Sequence, residues 1–251
     1  MNKFEDFFWN QDKKLKIHKW HHYLKIYDRH FKQFIGKKPR ILEIGVYKGG
    51  SLEMWNHYFD NDCEIYAIDI NEDCKKVPEL LNATNIQIDI GDQGDRNFWR
   101  KYITNKPKFD IIIDDGGHMY NQQIVTFEEM YHHMTDNGVY LCEDVHTSYW
   151  NTSKKMSSVS KTVHDGYDGG IKKSTTFIEY SKNLIDLLHY YWYAKDWKNH
   201  TGNANFKNPL PPHIDVQYKH FRTHTDSIHF YDSIVVIERD NNTNIPIATE
   251  R

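Results

Sequence analysis

Cysteine is scarce in this 251-residue chain: there are 3, Cys63, Cys74 and Cys142, an odd count without a Cys-x-x-Cys spacing. Neither a disulfide framework nor a structural zinc site is suggested by that pattern, and a reducing compartment is expected. An excess of one charge is missing too. The 32 Lys and Arg stand against 35 Asp and Glu, a formal net charge of -3, which gives no reason to expect nucleic acid as the partner, local basic patches aside. No apolar run reaches the ~18 residues that a membrane span needs, and Met1 to Lys14 mixes charge with Phe and Trp instead of forming an apolar signal region. The expectation is a cytoplasmic protein without a membrane segment. Apolar residues are plentiful: 39% are hydrophobic and 15% aromatic, enough for one domain with a full core and too many for intrinsic disorder. The aromatics suit a subunit interface as well as a core, and a homo-oligomer is expected.

From Trp20 the positions Tyr23, Leu24, Tyr27, Phe31 and Phe34 recur at steps of three and four, one stripe of an amphipathic helix that Gly36 and Pro39 end. Five runs rich in Ile, Val or Tyr read as buried strands: 40–46, 64–70, 85–90, 109–115 and 138–144. Helical spacing fills the intervals at 51–59, 73–81, 93–103 and 121–134. Alternation of this kind predicts a mostly parallel sheet covered on both faces. A Ser- and Lys-containing loop is expected at 151–173, a helix at about 175–191, and two further strands at 216–221 and 228–239, the second interrupted at Asp232-Ser233. Joined by a short turn, these last two would be antiparallel. There is no internal repeat and no low-complexity tract.

The first strand runs into Gly45-Val46-Tyr47-Lys48-Gly49-Gly50-Ser51, a turn at the carboxyl end where open α/β sheets bind ligands. The second strand ends in Asp69, placed to accept hydrogen bonds from ribose hydroxyls. A nucleoside ligand follows, although a tight strand-to-helix turn with no ligand would read the same way. Tyr47 occupies the position where a dinucleotide's pyrophosphate demands glycine, and no Gly-Lys-Ser/Thr P-loop is present. S-adenosylmethionine carries no phosphate and tolerates the looser turn, with Glu43 available to its ammonium directly or through water. After the third strand, Asp92 or Gln93 would meet the adenine amino group. Helix capping by Asp92 or Asp95 explains the same residues.

Two acidic clusters close the next two strands: Asp114-Asp115-Gly116-Gly117-His118 and Glu143-Asp144-Val145-His146. Carboxylates of Asp115, Glu143 and Asp144 brought together would repel unless a cation is bound, and an oxygen-only set suits Mg²⁺. His118, three residues beyond Asp115, is the candidate general base, while among 16 histidines a surface or packing role is the ordinary alternative. His146 is a weaker candidate.

Leu42-Glu43-Ile44-Gly45-Val46 with Gly49-Gly50-Ser51-Leu52, then Asp114 to His118, then Glu143 to Trp150 resembles the class I S-adenosylmethionine-dependent, metal-dependent sugar O-methyltransferases of the mycinamicin and elloramycin type. The resemblance runs from about Asp12 to Arg239. It implies a Rossmann-like class I methyltransferase fold: a seven-stranded, mostly parallel sheet with an antiparallel last strand and helices on both faces. It implies Mg²⁺ held by Asp115, Glu143 and Asp144, His118 as base, and Asp114 as a supporting residue on the cofactor side. Cofactor contacts are expected from Glu43, Gly45, Tyr47, Gly49, Ser51, Asp69, Asp92, Gln93 and Asp114. The family usually has Asp-Gly-Ser-His where this chain has Asp115-Gly116-Gly117-His118, and reaches a Gly-Gly pair sooner than Gly169-Gly170. Residues 1–39 are expected as an N-terminal helical cap on a methyltransferase domain at 40–251, with an acceptor loop at about 151–174. The expected acceptor is a small-molecule sugar hydroxyl on a natural-product glycoside, a nucleotide-activated sugar or a polysaccharide precursor. Lys154, Lys155, Lys161, Lys172 and Lys173 suit an anionic acceptor or merely a solvated loop. A catechol- or amine-directed methyltransferase, or a non-catalytic module that binds S-adenosylmethionine, remains the alternative.

Overall fold

A computed structural model describes residues 1–152, 167–189, 221 and 223–240. Seven strands form one sheet: β1 (Arg40–Ile44), β2 (Glu64–Asp69), β3 (Ile86–Ile90), β4 (Phe109–Asp114), β5 (Met134–Cys142), β6 (Thr225–Tyr231) and β7 (Ile234–Arg239). Their order is β3-β2-β1-β4-β5-β7-β6. Strands β1 to β5 pair in parallel, and β7 lies antiparallel to both β5 and β6, so a single strand opposes the direction of the other six. The sequence order reverses between β1 and β4, which opens a crevice at their carboxyl ends.

Helices cover both faces. On one side lie α1 (Lys3–Asn10), α2 (His21–Phe31), α3 (Gly50–Tyr58) and α4 (Val77–Leu81). They share a core with Ile41, Ile65, Ile111, Val139 and Val236, alternate residues of five strands. Trp55 of α3 is fully buried there against Phe4, Tyr27 and Phe31, at ring-centroid distances of 5.5, 5.2 and 5.9 Å. Edge contacts of this sort contribute about 0.5–1.5 kcal/mol each beyond burial. The other side carries α5 (Arg96–Ile103), α6 (Tyr120–Met130) and α7 (Phe177–Leu188), packed on Leu42, Ile68, Ile112, Tyr140 and Val235.

The strand expectations stand to within a few residues except at β5, which begins at Met134, four residues ahead of Gly138. The 73–81 segment divides into a 3-10 turn, Glu72–Lys76, and α4, where Pro78 takes the first turn that needs no N–H donor. The expected single strand at 228–239 is a hairpin: Asp232-Ser233 is its turn, with Ser233 at φ 66°. The strand expected at 216–221 falls largely outside the described residues, as do 153–166 of the expected loop and Tyr191 of the last helix; Phe221 itself is helical. α1 lies inside the expected N-terminal helical cap, though its own bounds were not expected; Asn2 and Glu5 form a reciprocal capping box at its start.

Candidate active site

A cavity of about 610 Å³ lies over the β1/β4 reversal. Its floor is the turn after β1. Gly45 sits at φ 93°, and a Cβ there would meet the Asp115 carbonyl oxygen at 2.0 Å, so only glycine lets the two strand ends approach. Asp69 holds this turn in shape: its Oδ2 accepts from the N–H groups of Val46 (2.8 Å) and Tyr47 (3.0 Å), and its Oδ1 from Asn71 N–H (2.8 Å). A carboxylate has about four acceptor positions, which leaves one for a ligand hydroxyl.

Gly45, Tyr47, Ser51, Asp69, Asp92 and Gln93 line the cavity, whereas Glu43, Gly49 and Asp114 do not. Glu43 is fully buried behind the turn and accepts from the Ser51 hydroxyl at 2.9 Å; burial pushes its carboxyl up to about 7, with the Lys19 ammonium opposing. Gly49 caps α3 in the left-handed region, with Val77 against it. Gln93 turns its amide inward, donating to Asp114 Oδ1 (2.9 Å) and Thr126 Oγ1 (3.1 Å) and accepting from Gly117 N–H (2.7 Å). The amide therefore braces the β4 turn. Asp114 also accepts from the Tyr140 hydroxyl at 3.2 Å, and burial raises its carboxyl to about 6. Asp92 accepts from Gly94 N–H at 2.7 Å in a local turn, and Asp95 caps α5.

The opposite wall carries the acidic residues. Single ligand atoms of Asp115, His118 and Asp144 all lie within 4.8 Å of one another. His118 Nε2 is 3.5 Å from Asp144 Oδ2 and 3.9 Å from Asp115 Oδ1. His118 (φ 56°) and Asp144 (φ 54°) are both left-handed, as is Tyr47 (φ 51°) across the cavity. Such conformations cost about 1–3 kcal/mol each and persist where surrounding structure imposes them. Glu143 is set deeper. It is 1% exposed; Lys19 Nζ contacts both of its oxygens at 2.9 Å, and the Tyr27 hydroxyl donates to Oε1 at 2.7 Å. Burial, then the neighbouring Asp115 charge, raises its carboxyl well above the ordinary range, while Lys19 pulls the other way.

Three residues of this wall are absent from the expected site: Lys19, Tyr23 and Tyr27. Lys19 also reaches Asp115 Oδ2 at 2.5 Å. Burial alone would lower its pKa, but Asp115 and Glu143 reverse that, and the net displacement is upward: the ammonium stays charged. The Tyr23 hydroxyl donates to Asp144 Oδ1 at 2.6 Å and lies 2.7 Å from Ser233 Oγ. The stripe 23, 27 was visible as a buried helix face; that its tyrosines aim hydroxyls at the acidic strand ends was not. His146 lies 3.9 Å from Asp144 Oδ1 and contacts Ser233 Oγ.

The side chains gathered closely enough to share a cation are Asp115, His118 and Asp144, and Lys19 already contacts Asp115 and Glu143 of the expected ligand set. Asp115 and Asp144 offer carboxylate oxygens to the cavity and Glu143 stands behind them, although its oxygens are engaged by Lys19 and Tyr27.

No protein-family model matches the chain. It is 28% identical over 227 residues to the demethylmacrocin O-methyltransferase of Streptomyces fradiae, covering 86% of this chain and 48% of that protein. It is 30% identical over 182 residues to the 8-demethyl-8-(2-methoxy-alpha-L-rhamnosyl)-tetracenomycin-C 3'-O-methyltransferase of Streptomyces olivaceus, covering 68% and 41%. The MycE methyltransferase from the mycinamycin biosynthetic pathway, solved in complex with Mg, SAH and mycinamycin VI, superposes with a TM-score of 0.68 at 27% identity, over 93% of this chain and 53% of that one. The chain thus spans about half the length of the curated relatives it matches over most of its own. The fold is the Rossmann-like one of class I methyltransferases.

Proposed function

Because the chain is homologous to sugar O-methyltransferases of macrolide and tetracenomycin pathways, we propose that it is an S-adenosylmethionine- and Mg²⁺-dependent O-methyltransferase acting on a sugar hydroxyl. The observation that supports this best is one cavity with two unlike walls: Asp69 and the glycine turn on one, Asp115, His118 and Asp144 on the other. The first wall suits a nucleoside without phosphates. The second suits a hydroxyl acceptor.

S-adenosylmethionine supplies the methyl electrophile, and a divalent cation among Asp115, Glu143 and Asp144 lowers the pKa of a nearby hydroxyl. The remaining work belongs to the chain. Asp69 orders the cofactor turn and presents its free acceptor capacity to ribose. His118, with Nε2 facing the cavity carboxylates, takes the acceptor proton, and the imidazolium that forms is stabilised by Asp144 and Asp115. Lys19 and Tyr27 fix Glu143, and Tyr23 fixes Asp144, so the acidic wall is held before the acceptor arrives. Lining the two reactants up along the methyl-transfer axis supplies several kcal/mol, on the order of what orientation contributes in well-positioned reactions.

A glycosylated natural product is the first acceptor class to test, ahead of sugar nucleotides and polysaccharide precursors. Among the described residues no helix is long and apolar enough to cross a membrane, and the three free cysteines are all buried, which supports a cytoplasmic assignment. Trp9 and Trp20, each about half exposed, are where a homo-oligomer contact would be sought.

The test is transfer of label from methyl-labelled S-adenosylmethionine to a panel of rhamnosyl and deoxysugar glycosides, with Mg²⁺ or with EDTA. Label should enter glycosides in the Mg²⁺ arm alone. Label in a simple catechol instead would redirect the acceptor assignment. S-adenosylmethionine binding without transfer to any acceptor would favour a binding module.

A further inference from the structure

α2 meets the β6/β7 hairpin through a second group of metal-ligating side chains, at the far end from Lys19. His30 of α2 is 2% exposed; its Nδ1 lies 2.7 Å from Glu238 Oε1 on β7. His229 of β6 brings Nε2 to 3.2 Å from Glu238 Oε2. One ligand atom from each of His30, His229 and Glu238 lies within 4.8 Å of the other two. In a tetrahedral site with metal–ligand bonds of about 2.0–2.1 Å, neighbouring ligand atoms stand about 3.3 Å apart. The His229–Glu238 distance is close to that value, and the His30–Glu238 distance is about 0.6 Å shorter, a hydrogen-bond contact that a bound ion would open, so the three side chains are gathered near ligating separation.

Their surroundings fit the same role. The far nitrogen of His30, Nε2, lies 2.9 Å from the Tyr231 hydroxyl, and that oxygen also accepts from Arg29 Nη1 at 3.1 Å. An outer partner of this kind fixes the ring and its tautomer so that the other nitrogen faces the ion. Ser227 Oγ lies 3.0 Å from both Glu238 Oε2 and His229 Nε2. His30 is enclosed, whereas His229 and Glu238 are partly exposed, which leaves the solvent side open to a fourth ligand such as water.

We propose that His30, His229 and Glu238 form a second metal site, selective for a divalent transition ion of the zinc type. Two imidazoles and one carboxylate suit Zn²⁺ or Co²⁺ and serve Mg²⁺ poorly, the reverse of the oxygen-rich wall in the cavity. The ion would clamp the end of α2 to the hairpin. The same helix holds Glu143 and Asp144 through Tyr27 and Tyr23, so the clamp would set the depth at which those hydroxyls reach the active site.

Co²⁺ is the probe. The full chain, stripped of metal and then held in excess Mg²⁺ to fill the oxygen-rich site, is titrated with Co²⁺ while its ligand-field absorption is followed. The expected result is one equivalent with an intense, tetrahedral-type spectrum that Zn²⁺ abolishes by displacement. His229→Gln, at a partly exposed position on the edge strand β6, should weaken Co²⁺ binding by about tenfold or more and remove the spectrum, with circular dichroism unchanged. Glu238→Gln should act likewise, and Asp144→Asn should leave the spectrum intact. No tetrahedral spectrum in the unmodified chain, a spectrum that survives in H229Q, or one lost in D144N alone would each overturn the proposal.

Discussion

The Lys19 ammonium lies 2.5 Å from Asp115 Oδ2, although 96 positions separate the two residues in the chain. It also spans both oxygens of Glu143, and its side chain is 2% exposed. The rings of Tyr27 and Trp55 lie 5.8 and 6.0 Å from the charge. One internal cation thus neutralises the deeper half of an acidic wall whose shallower half, Asp144 with His118, faces the cavity.

Removing that cation should be costly. Lys19→Met leaves Glu143 and Asp115 without their partner, and breaking a buried pair from one side costs about 3–5 kcal/mol. Equilibrium urea unfolding should show that loss, and Mg²⁺ should stabilise the variant more than it stabilises the unmodified chain. A K19M protein as stable as its parent would show that Lys19 is not the counter-ion of the wall.

His118→Ala should leave S-adenosylmethionine affinity unchanged and reduce methyl transfer by about 10²-fold or more. Calorimetric titration reads the first quantity and single-turnover transfer the second. Full activity in the variant would remove His118 from the base role.

Asp69→Ala takes the acceptor away from three backbone N–H groups of the turn as well as from any ribose hydroxyl. Cofactor affinity should fall by about tenfold or more. Asp69→Asn, which keeps one acceptor oxygen, should lie between the two. Titration calorimetry at fixed Mg²⁺ decides; equal affinities for all three proteins would place the nucleoside elsewhere.

Stability should decline with rising pH across the neutral range. Burial holds the Glu43 carboxyl at about 7 against an ordinary 4.5, so the folded protein binds this proton more tightly than the unfolded chain does. The stabilisation is complete below the unfolded value and disappears as pH rises through the folded one. Asp114, at about 6 against 3.8, adds the same trend over a lower window. Melting temperatures between about pH 4 and pH 8 should therefore fall, and Glu43→Gln, which cannot ionise, should fall less steeply. A steeper decline in E43Q would contradict the assignment.

The sheet was legible because its strands are short apolar runs punctuated by Gly, Asp and Pro, and burial on both faces imposes that composition. The start of β5 was not: Thr135-Asp136-Asn137-Gly138 reads as loop, and it falls within the strand because Met134 already pairs with Phe109 and these four residues span the register shift before pairing resumes at Val139. Asp115, Glu143, Asp144 and His118 were legible as acidic strand ends, since strand termini converge wherever the sheet is parallel. Lys19 was not, because a lysine next to Trp20 in a polar stretch gives no local sign of burial; only the carboxylates 96 and 124 residues away create its place. Gln93 shows the opposite difficulty. Its position beside the cavity was readable, but its amide is spent on Asp114, Thr126 and Gly117, partners that proximity in sequence does not reveal.

The hairpin turn at Asp232-Ser233 reaches across to the active site: the Ser233 carbonyl accepts from Val145 N–H at 3.1 Å, its side chain meets Tyr23, and the Asp232 carbonyl lies 3.1 Å from His22 Nε2. During synthesis, the five parallel strands and the glycine turn leave the ribosome well before this hairpin. A nascent chain can therefore form the crevice between β1 and β4 while the hairpin's contacts to Tyr23 and Val145 are still missing. The acidic wall is finished last, by a segment about 90 residues downstream of Asp144 that meets the Tyr23 hydroxyl bonded to that aspartate.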